Sequence, residues 1–155
     1  MENKKKILII GGAGFIGHHL CLNFKDLNYN IKVIDSLSVN NFFSISEKNV
    51  KDYPHPKLSK LITSERFKLF KEKEIFIDQL DSRNYENVSK EILNYDPNII
   101  IHLAAVSHAN RSNKDPYSTF DHSLRTLENA LDNTRNKINH FIYFSSSMVY
   151  GNFKK

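Results

Sequence analysis

Lys6-Ile7-Leu8-Ile9-Ile10-Gly11-Gly12-Ala13-Gly14-Phe15-Ile16-Gly17 is the stretch of this 155-residue chain from which the rest can be read. The whole sequence holds five glycines, and four of them stand at 11, 12, 14 and 17. Clustering of that kind requires a backbone reason, either a tight turn or an approach that a side chain would block. The aliphatic run Ile7 to Ile10 just before it predicts a short strand buried on both faces, as in a parallel sheet. Just after it, apolar residues at 20, 21, 24 and 27 keep helical spacing and predict a helix over His18 to Leu27. The unit therefore reads strand, glycine turn, helix.

Working outward, a second strand is predicted over Asn30 to Asp35, ending in an acidic residue. A polar, proline-containing insert over Asn40 to Ser64 separates it from a helix expected at Glu65 to Lys73. A third strand is expected at Glu74 to Asp78. A helix comes next at about Tyr85 to Tyr95, stopped by Asp96-Pro97. The fourth strand is expected at Asn98 to Leu103, and the fifth at His140 to Ser145. Between those two, a helix over Asp115 to Thr134 has Pro116 in its first turn, where proline is tolerated. Strands alternating with helices predict an α/β, doubly wound parallel sheet, whose ligands sit at the carboxyl ends of the strands.

Two overlapping spacings occupy the glycine turn: Gly12-x-Gly14-x-x-Gly17 and Gly11-x-x-Gly14-x-x-Gly17. In a dinucleotide-binding turn the first glycines permit the bend, Gly14 lets backbone approach a pyrophosphate, and Gly17 lets helix and strand pack closely. The helix N-terminus then presents free N–H groups and a positive dipole end to phosphate. Asp35 ends the second strand about 20 residues on, the position from which a carboxylate accepts hydrogen bonds from the adenosine ribose. A 2′-phosphate there would meet a carboxylate, so NAD is expected rather than NADP. A purely structural turn, and a strand-end aspartate that only caps it, are the bland alternatives.

Composition agrees with a single folded domain covering residues 1–155: 40% of residues are hydrophobic and 25% charged. No apolar run reaches the ~20 residues that span a bilayer, and no signal peptide is recognisable. Cys21 is the single cysteine, so no internal disulfide is possible and a cytoplasmic location is expected. The net charge of +5 is concentrated at the ends, in Lys4 to Lys6 and Lys154-Lys155. With no basic stripe, a nucleic-acid partner is not expected. Nor is a metal: the seven histidines include the adjacent His18-His19, which diverge on a helix, and no ligand spacing is completed.

Taken in order, Gly11 to Gly17, Val33-Ile34-Asp35, Ile101-His102-Leu103-Ala104-Ala105 and Phe144-Ser145-Ser146-Ser147-Met148-Val149-Tyr150-Gly151 resemble the extended short-chain dehydrogenase/reductase family, in its NAD-dependent nucleotide-sugar epimerase/dehydratase branch. The resemblance runs from Lys6 to Gly151 and implies a Rossmann-type sheet, truncated after the fifth strand. It implies NAD contacts at Gly11, Gly14, Phe15, Ile16, Gly17, Asp35, Ser36, Asp81, Ser82, Leu103, Ala104, Ala105 and Ser145. Asp81 is taken for the adenine contact because it keeps a gap-free spacing to the His102 strand, with Asp78 as the alternative. Enzymes of this family oxidise a sugar hydroxyl by hydride transfer to the nicotinamide and pass through a transient keto-sugar. A tyrosine acts as base, assisted by a lysine four residues on, and a Ser or Thr hydroxyl bonds the reacting oxygen. Ser146 matches that hydroxyl, with Ser145 and Ser147 close enough to compete. Ser107 and His108 are expected to line the sugar or cofactor pocket, or else to form an ordinary polar loop. The substrate implied is a nucleotide-sugar, and the full-length enzyme is expected to be a homodimer.

The sequence departs from the family in ways that bear on activity. The Tyr-x-x-x-Lys helix belongs beyond the fifth strand, and the two literal matches here are decoys. Tyr53-Pro54-His55-Pro56-Lys57 contains two prolines, and Tyr150 aligns with the tyrosine of the Val-Tyr-Gly motif instead. The chain is therefore read as an N-terminal portion lacking the substrate domain, expected to be inactive alone. Where the family has Asn-Val-x-Gly-Thr, this sequence has Ser123-Leu124-Arg125-Thr126-Leu127, and Leu80 replaces a usual glycine. Ala104 to Ser112 resembles the loop of 4,6-dehydratases. In those enzymes an Asp-Glu pair removes water; Ser147-Met148 stands at that place and cannot carry those protons. An epimerase is therefore expected. A 4,6-dehydratase or reductase of the same family, or a non-catalytic NAD-binding module, remains as the alternative.

Overall fold

The computed structural model describes residues 4–38, 55–106, 114–135 and 137–151, with Ser147 and Met148 described by their backbone alone. Strand β1 (Lys6–Ile10) lies at the centre because Ile7, Leu8, Ile9 and Ile10 are all at most 1% exposed. Burial of each such side chain contributes roughly 1.5–3 kcal/mol. β1 pairs in parallel with β2 (Asn30–Asp35) on one side and β4 (Ile99–His102) on the other, Ile9 standing opposite Val33 and Ile101. β3 (Ile77–Gln79) adds beyond β2 and β5 (His140–Tyr143) beyond β4, giving the order β3-β2-β1-β4-β5. The expected doubly wound sheet is thus present.

Because side chains alternate along a strand, the sheet has two apolar faces. Ile7, Ile9, Val33 and Ile101 pack with Cys21 of helix α1 (Phe15–Asp26) and Phe70 of α2 (Pro56–Glu72). Leu8, Ile10, Ile34 and Ile100 pack with Val88 and Ile92 of α3 (Tyr85–Tyr95) and Ala130 of α5 (Thr126–Thr134). Helix α5 continues α4 (Pro116–Phe120) through a five-residue π-helical turn, Asp121–Arg125, with helical backbone angles at both junctions. The chain order reverses direction at β1, and in open parallel sheets of this kind ligands bind in the crevice at such a point, outside the carboxyl ends of the strands. Among the described residues no helix is long and apolar enough to cross a membrane.

Several boundaries differ from those expected. α1 starts at Phe15 rather than His18, since its first residues are exposed and carry no apolar spacing. α2 starts at Pro56, not Glu65. Proline is favoured in a first turn, where its missing N–H costs nothing, and the exposed Leu58, Leu61 and Ile62 obscured the helical pattern. β3 is displaced to Ile77–Gln79, and β5 ends at Tyr143 instead of Ser145. The helix expected over Asp115 to Thr134 is interrupted by the π turn. α3 matches its expected span: Asn84 caps it by accepting from Asn87 N at 3.0 Å, and Asp96 closes it with φ of 49° just before Pro97.

Stability depends on two of the buried positions. A Cβ at position 17 would lie 2.5 Å from Gly12 Cα and 2.6 Å from Gly12 O, so Gly17→Ala is expected to cost about 1–3 kcal/mol or more in urea unfolding. His102 is fully buried, and among the described residues neither ring nitrogen has a hydrogen-bond partner of good geometry. Burial pushes its pKa down from 6.5 to about 4, the backbone near Thr126 offsetting this only in part. The unfolded chain therefore takes up a proton that the folded one refuses. This stabilising difference is complete above about pH 6.5 and is lost as the pH falls towards about 4. Its size is up to roughly 3 kcal/mol. His102→Leu is expected to flatten that part of the profile, while the contributions of His18, lowered by burial, and of Asp35, raised by burial, remain. Urea midpoints measured from pH 7 to pH 4.5 for both proteins check this.

Candidate functional site

The glycine turn closes on its neighbours through backbone. Gly11 has φ of 81°, its N–H donates to Ile34 O at 2.8 Å, and a Cβ there would lie 2.7 Å from Ala104 N. Only glycine satisfies both demands. Gly17 is equally constrained by Gly12. Gly14 differs: it precedes α1 in extended backbone, and a Cβ on it would meet nothing closer than Gly11 O at 3.5 Å. Among the described residues nothing requires glycine at 14. Phe15 and Ile16 at the start of α1 are exposed, and the N–H groups of a helix's first turn have no intrahelical acceptor.

Asp35 ends β2 beside this turn. Its carboxylate accepts from Ala13 N at 2.9 Å and from Leu37 N at 2.8 Å. The side chain therefore holds the glycine turn in register, whatever else it binds. Burial raises its pKa, with those two N–H groups opposing the shift. Each oxygen keeps a second lone pair, so the cap leaves acceptor capacity for a ligand.

A cavity of about 130 Å³ opens at the carboxyl ends of the strands. Gly11, Asp35 and Ser36 form one side, Asp81 and Ser82 after β3 another, and Leu103, Ala104 and Ala105 after β4 a third. All of these are residues that the sequence leads one to expect together. Asp78 does not line the cavity and pairs with Lys32 at 2.9 Å, which favours Asp81 between the two. His122 and Thr126 complete the wall, and sequence reasoning does not anticipate them as site residues. The signal for them is the departure from Asn-Val-x-Gly-Thr at Ser123 to Leu127, but a π turn, which decides what faces the cavity, leaves no mark in the sequence. Ser123 Oγ accepts from Val106 N at 3.3 Å, and Thr126 Oγ1 lies 3.4 Å from Ala104 O. The small residues at these positions tie the loop after β4 to the helix.

Asp81 is held by Arg83, whose Nε lies 3.0 Å from both carboxylate oxygens and whose Nη2 lies 2.6 Å from Oδ2. That contact holds the Asp81 carboxyl below the usual range, burial opposing it in part. Arg83 Nη1 also donates to Asp121 Oδ2 at 2.8 Å, and Arg125 Nε donates to Asp121 Oδ1 at 2.6 Å. Ser82 is buried, and Asn129 Nδ2 donates to the carbonyls of Ser82 and Arg83 at 3.0 and 2.9 Å.

The remaining expected residues lie elsewhere. Gly14, Phe15, Ile16 and Gly17 do not line the cavity and sit at the start of α1. Ser145 and Ser146 are exposed just after β5, where Ser146 O accepts from Val149 N at 3.2 Å. Tyr150 ends a 3₁₀ turn, Ser147–Tyr150, and Gly151 comes next with φ of 62°, so this tyrosine does not begin an α-helix. Ser107, His108 and Tyr53 lie outside the described residues. Among the described residues no group of histidine, cysteine and carboxylate side chains is arranged to hold a metal ion. Cys21 is fully buried, its thiol 4.0 Å from Gly12 O and pushed by burial up to about 12.

The family model described as the NAD dependent epimerase/dehydratase family matches residues 7–155. The chain is 34% identical to a dTDP-D-glucose 4,6-dehydratase of Dictyostelium discoideum over 97% of its own length and 32% of the relative's. It is 32% identical to an uncharacterized UDP-glucose epimerase, YtcB, of Bacillus subtilis (strain 168), over 94% of this chain and 41% of the relative. The structure superposes on UDP-glucose 4-epimerase from Brucella ovis in complex with NAD, with a TM-score of 0.72 at 22% identity. That match covers 97% of this chain and 38% of the other. The chain thus spans well under half the length of the proteins it matches.

Proposed function

Because the chain belongs to the NAD dependent epimerase/dehydratase family, we propose that residues 1–155 form the NAD-binding Rossmann domain of a nucleotide-sugar epimerase, with the substrate domain outside these residues. The observation that carries the reading is the convergence of Gly11, Asp35, Ser36, Asp81, Ser82 and Leu103 to Ala105 on one cavity at the switch point of the sheet. Those residues suit the adenosine half of NAD. Asp35 and Ser36 would accept from the ribose hydroxyls, and Asp81, Ser82 and His122 would border the adenine. Gly14 supports the pyrophosphate: its missing Cβ serves no close contact among the described residues, and it opens a helix whose first N–H groups have no intrahelical acceptor. The backbone of Leu103 to Ala105 leads from there towards the nicotinamide half.

NAD, when bound, supplies a reversible hydride acceptor. The part of this chain in the chemistry is the Ser146 hydroxyl, exposed at the carboxyl end of β5, where it would hydrogen-bond the reacting sugar oxygen. Tyr150 is not read as the base, since it ends a 3₁₀ turn and is followed by Gly151 with φ of 62°. Residues 1–155 alone are therefore expected to bind without turnover. Ser147-Met148, in place of an acid/base pair, favours epimerisation over dehydration. The 34% identity to a dehydratase makes dehydration the second reading, and assaying sugar products by mass separates them, since only dehydration loses water. Exposed Leu93 of α3 and Leu131 of α5 support pairing of two copies in the complete protein.

Two measurements test the reading. Calorimetric titration is expected to show NAD binding, with NADP at least about tenfold weaker and Asp35→Ala losing most of the affinity. Because Asp35 also caps the turn, the variant's thermal midpoint is compared alongside. Failure to bind NAD, or a preference for NADP, overturns the assignment. In full-length protein, Ser146→Ala is expected to leave NAD affinity unchanged while lowering kcat about 10²-fold or more. Turnover by residues 1–155 alone would refute the absence of a base.

A further inference from the structure

We propose that Arg83 is a positioning residue for adenine recognition, acting through Asp81 to make the cavity accept an amine and reject a carbonyl. The proposal deepens the NAD reading and rests on it. A carboxylate offers about four acceptor positions. Three donors already engage Asp81: the Arg83 backbone N–H at 3.0 Å, Nη2 at 2.6 Å, and Nε shared between the oxygens at 3.0 Å. About one acceptor position is left. Even with that fork in place the Asp81 side chain is 44% exposed, and it lines the cavity. One open lone pair on a carboxylate kept ionised by a guanidinium suits a single N–H donor, such as the adenine 6-amino group. It repels a carbonyl oxygen in the same place, because an ionised carboxylate has no proton to give.

The rest of the network fixes where that lone pair points. Arg83 Nη1 reaches across to Asp121 in the π turn at 2.8 Å, and Asp121 is held in turn by Arg125. Asn129, further along the same helix, takes the backbone carbonyls of Ser82 and Arg83. The loop over 81–83 is thus tied to one helix by both a side chain and its backbone. Because Asn129 holds the backbone independently of the Arg83 side chain, removing the guanidinium frees the carboxylate without releasing the loop. Of the described residues lining the cavity, only His122 is a further titratable group beside Asp81 and Asp35.

The test compares NAD with nicotinamide hypoxanthine dinucleotide, which carries a carbonyl where NAD carries the 6-amino group. Wild-type protein is expected to prefer NAD by about tenfold in calorimetric titration, as one hydrogen bond to a charged acceptor implies. Arg83→Met is expected to reduce that preference to within about twofold, chiefly by weakening NAD. Arg83→Lys, which restores charge without the fork, should recover part of it. Asp121→Asn, nearly isosteric and outside the cavity, should lose part of it. In an Asp81→Asn background Arg83→Met should change nothing further. A preference that survives Arg83→Met overturns the proposal, and so does an equal loss of both dinucleotides, which is the signature of a merely structural role. Wild-type protein that binds neither dinucleotide overturns the NAD reading itself, an outcome distinct from either.

Discussion

A Cβ at position 17 would lie 2.5 Å from Gly12 Cα, and one at position 11 would lie 2.7 Å from Ala104 N. These two contacts between main chain and main chain set the distance from β1 to α1 and from the glycine turn to the loop after β4. Atoms cannot approach more closely than their radii, so any side chain at either place forces helix or loop away from the sheet. The crevice would then change shape before any ligand arrived. The rest of the site is arranged around that approach: Asp35 holds the turn from the β2 side through Ala13 N, and Ile34 O holds it through Gly11 N. A residue read as a ligand contact therefore also carries the architecture it serves.

On the other side of the crevice the controlling device is a helix with one irregular turn. Asp121–Arg125 is π-helical, and a π turn places an extra residue in the ladder, rotating the next turns of the helix relative to a regular α-helix. Over a short stretch it presents Asp121 to Arg83, His122 to the cavity, Ser123 to Val106 N and Thr126 to Ala104. One element thus touches the walls that come from β3 and from β4. The buried His102 lies at the end of β4. Its ring is stacked near Phe141 and tilted against Tyr143, so it acts here as an aromatic spacer whose neutrality the core enforces.

Much of this is legible without coordinates. Ile7 to Ile10, four glycines and Asp35 lie in nearly contiguous sequence, and each demand they express is local: burial on both faces, a turn without side chains, an acid at a strand end. The cavity accordingly collects Gly11, Asp35, Ser36, Asp81, Ser82 and Leu103 to Ala105 as expected. The features that stay hidden have non-local causes. The first part of α2 is hard to read because Leu58, Leu61 and Ile62 are exposed, and its buried side chains are Thr63 and Phe70, the latter packed in the core beneath the sheet. His122 and Thr126 enter the wall only because a π turn rotates them. Arg83 reads as an ordinary surface arginine until Asp121 is found across the crevice, 38 residues away in sequence.

The amino-acid sequence by itself determined the strand–turn–helix unit, the alternation of strands and helices and the identity of the residues in the glycine turn, because hydrophobic period and glycine placement act over a few neighbouring residues. Tertiary structure alone decided which acid, Asp81 or Asp78, faces the crevice, and which arginine holds it. Those choices depend on distances between segments far apart in the chain. An ion pair such as Arg83 with Asp121 forms only where folding has already brought a loop and a distant helix within hydrogen-bonding reach.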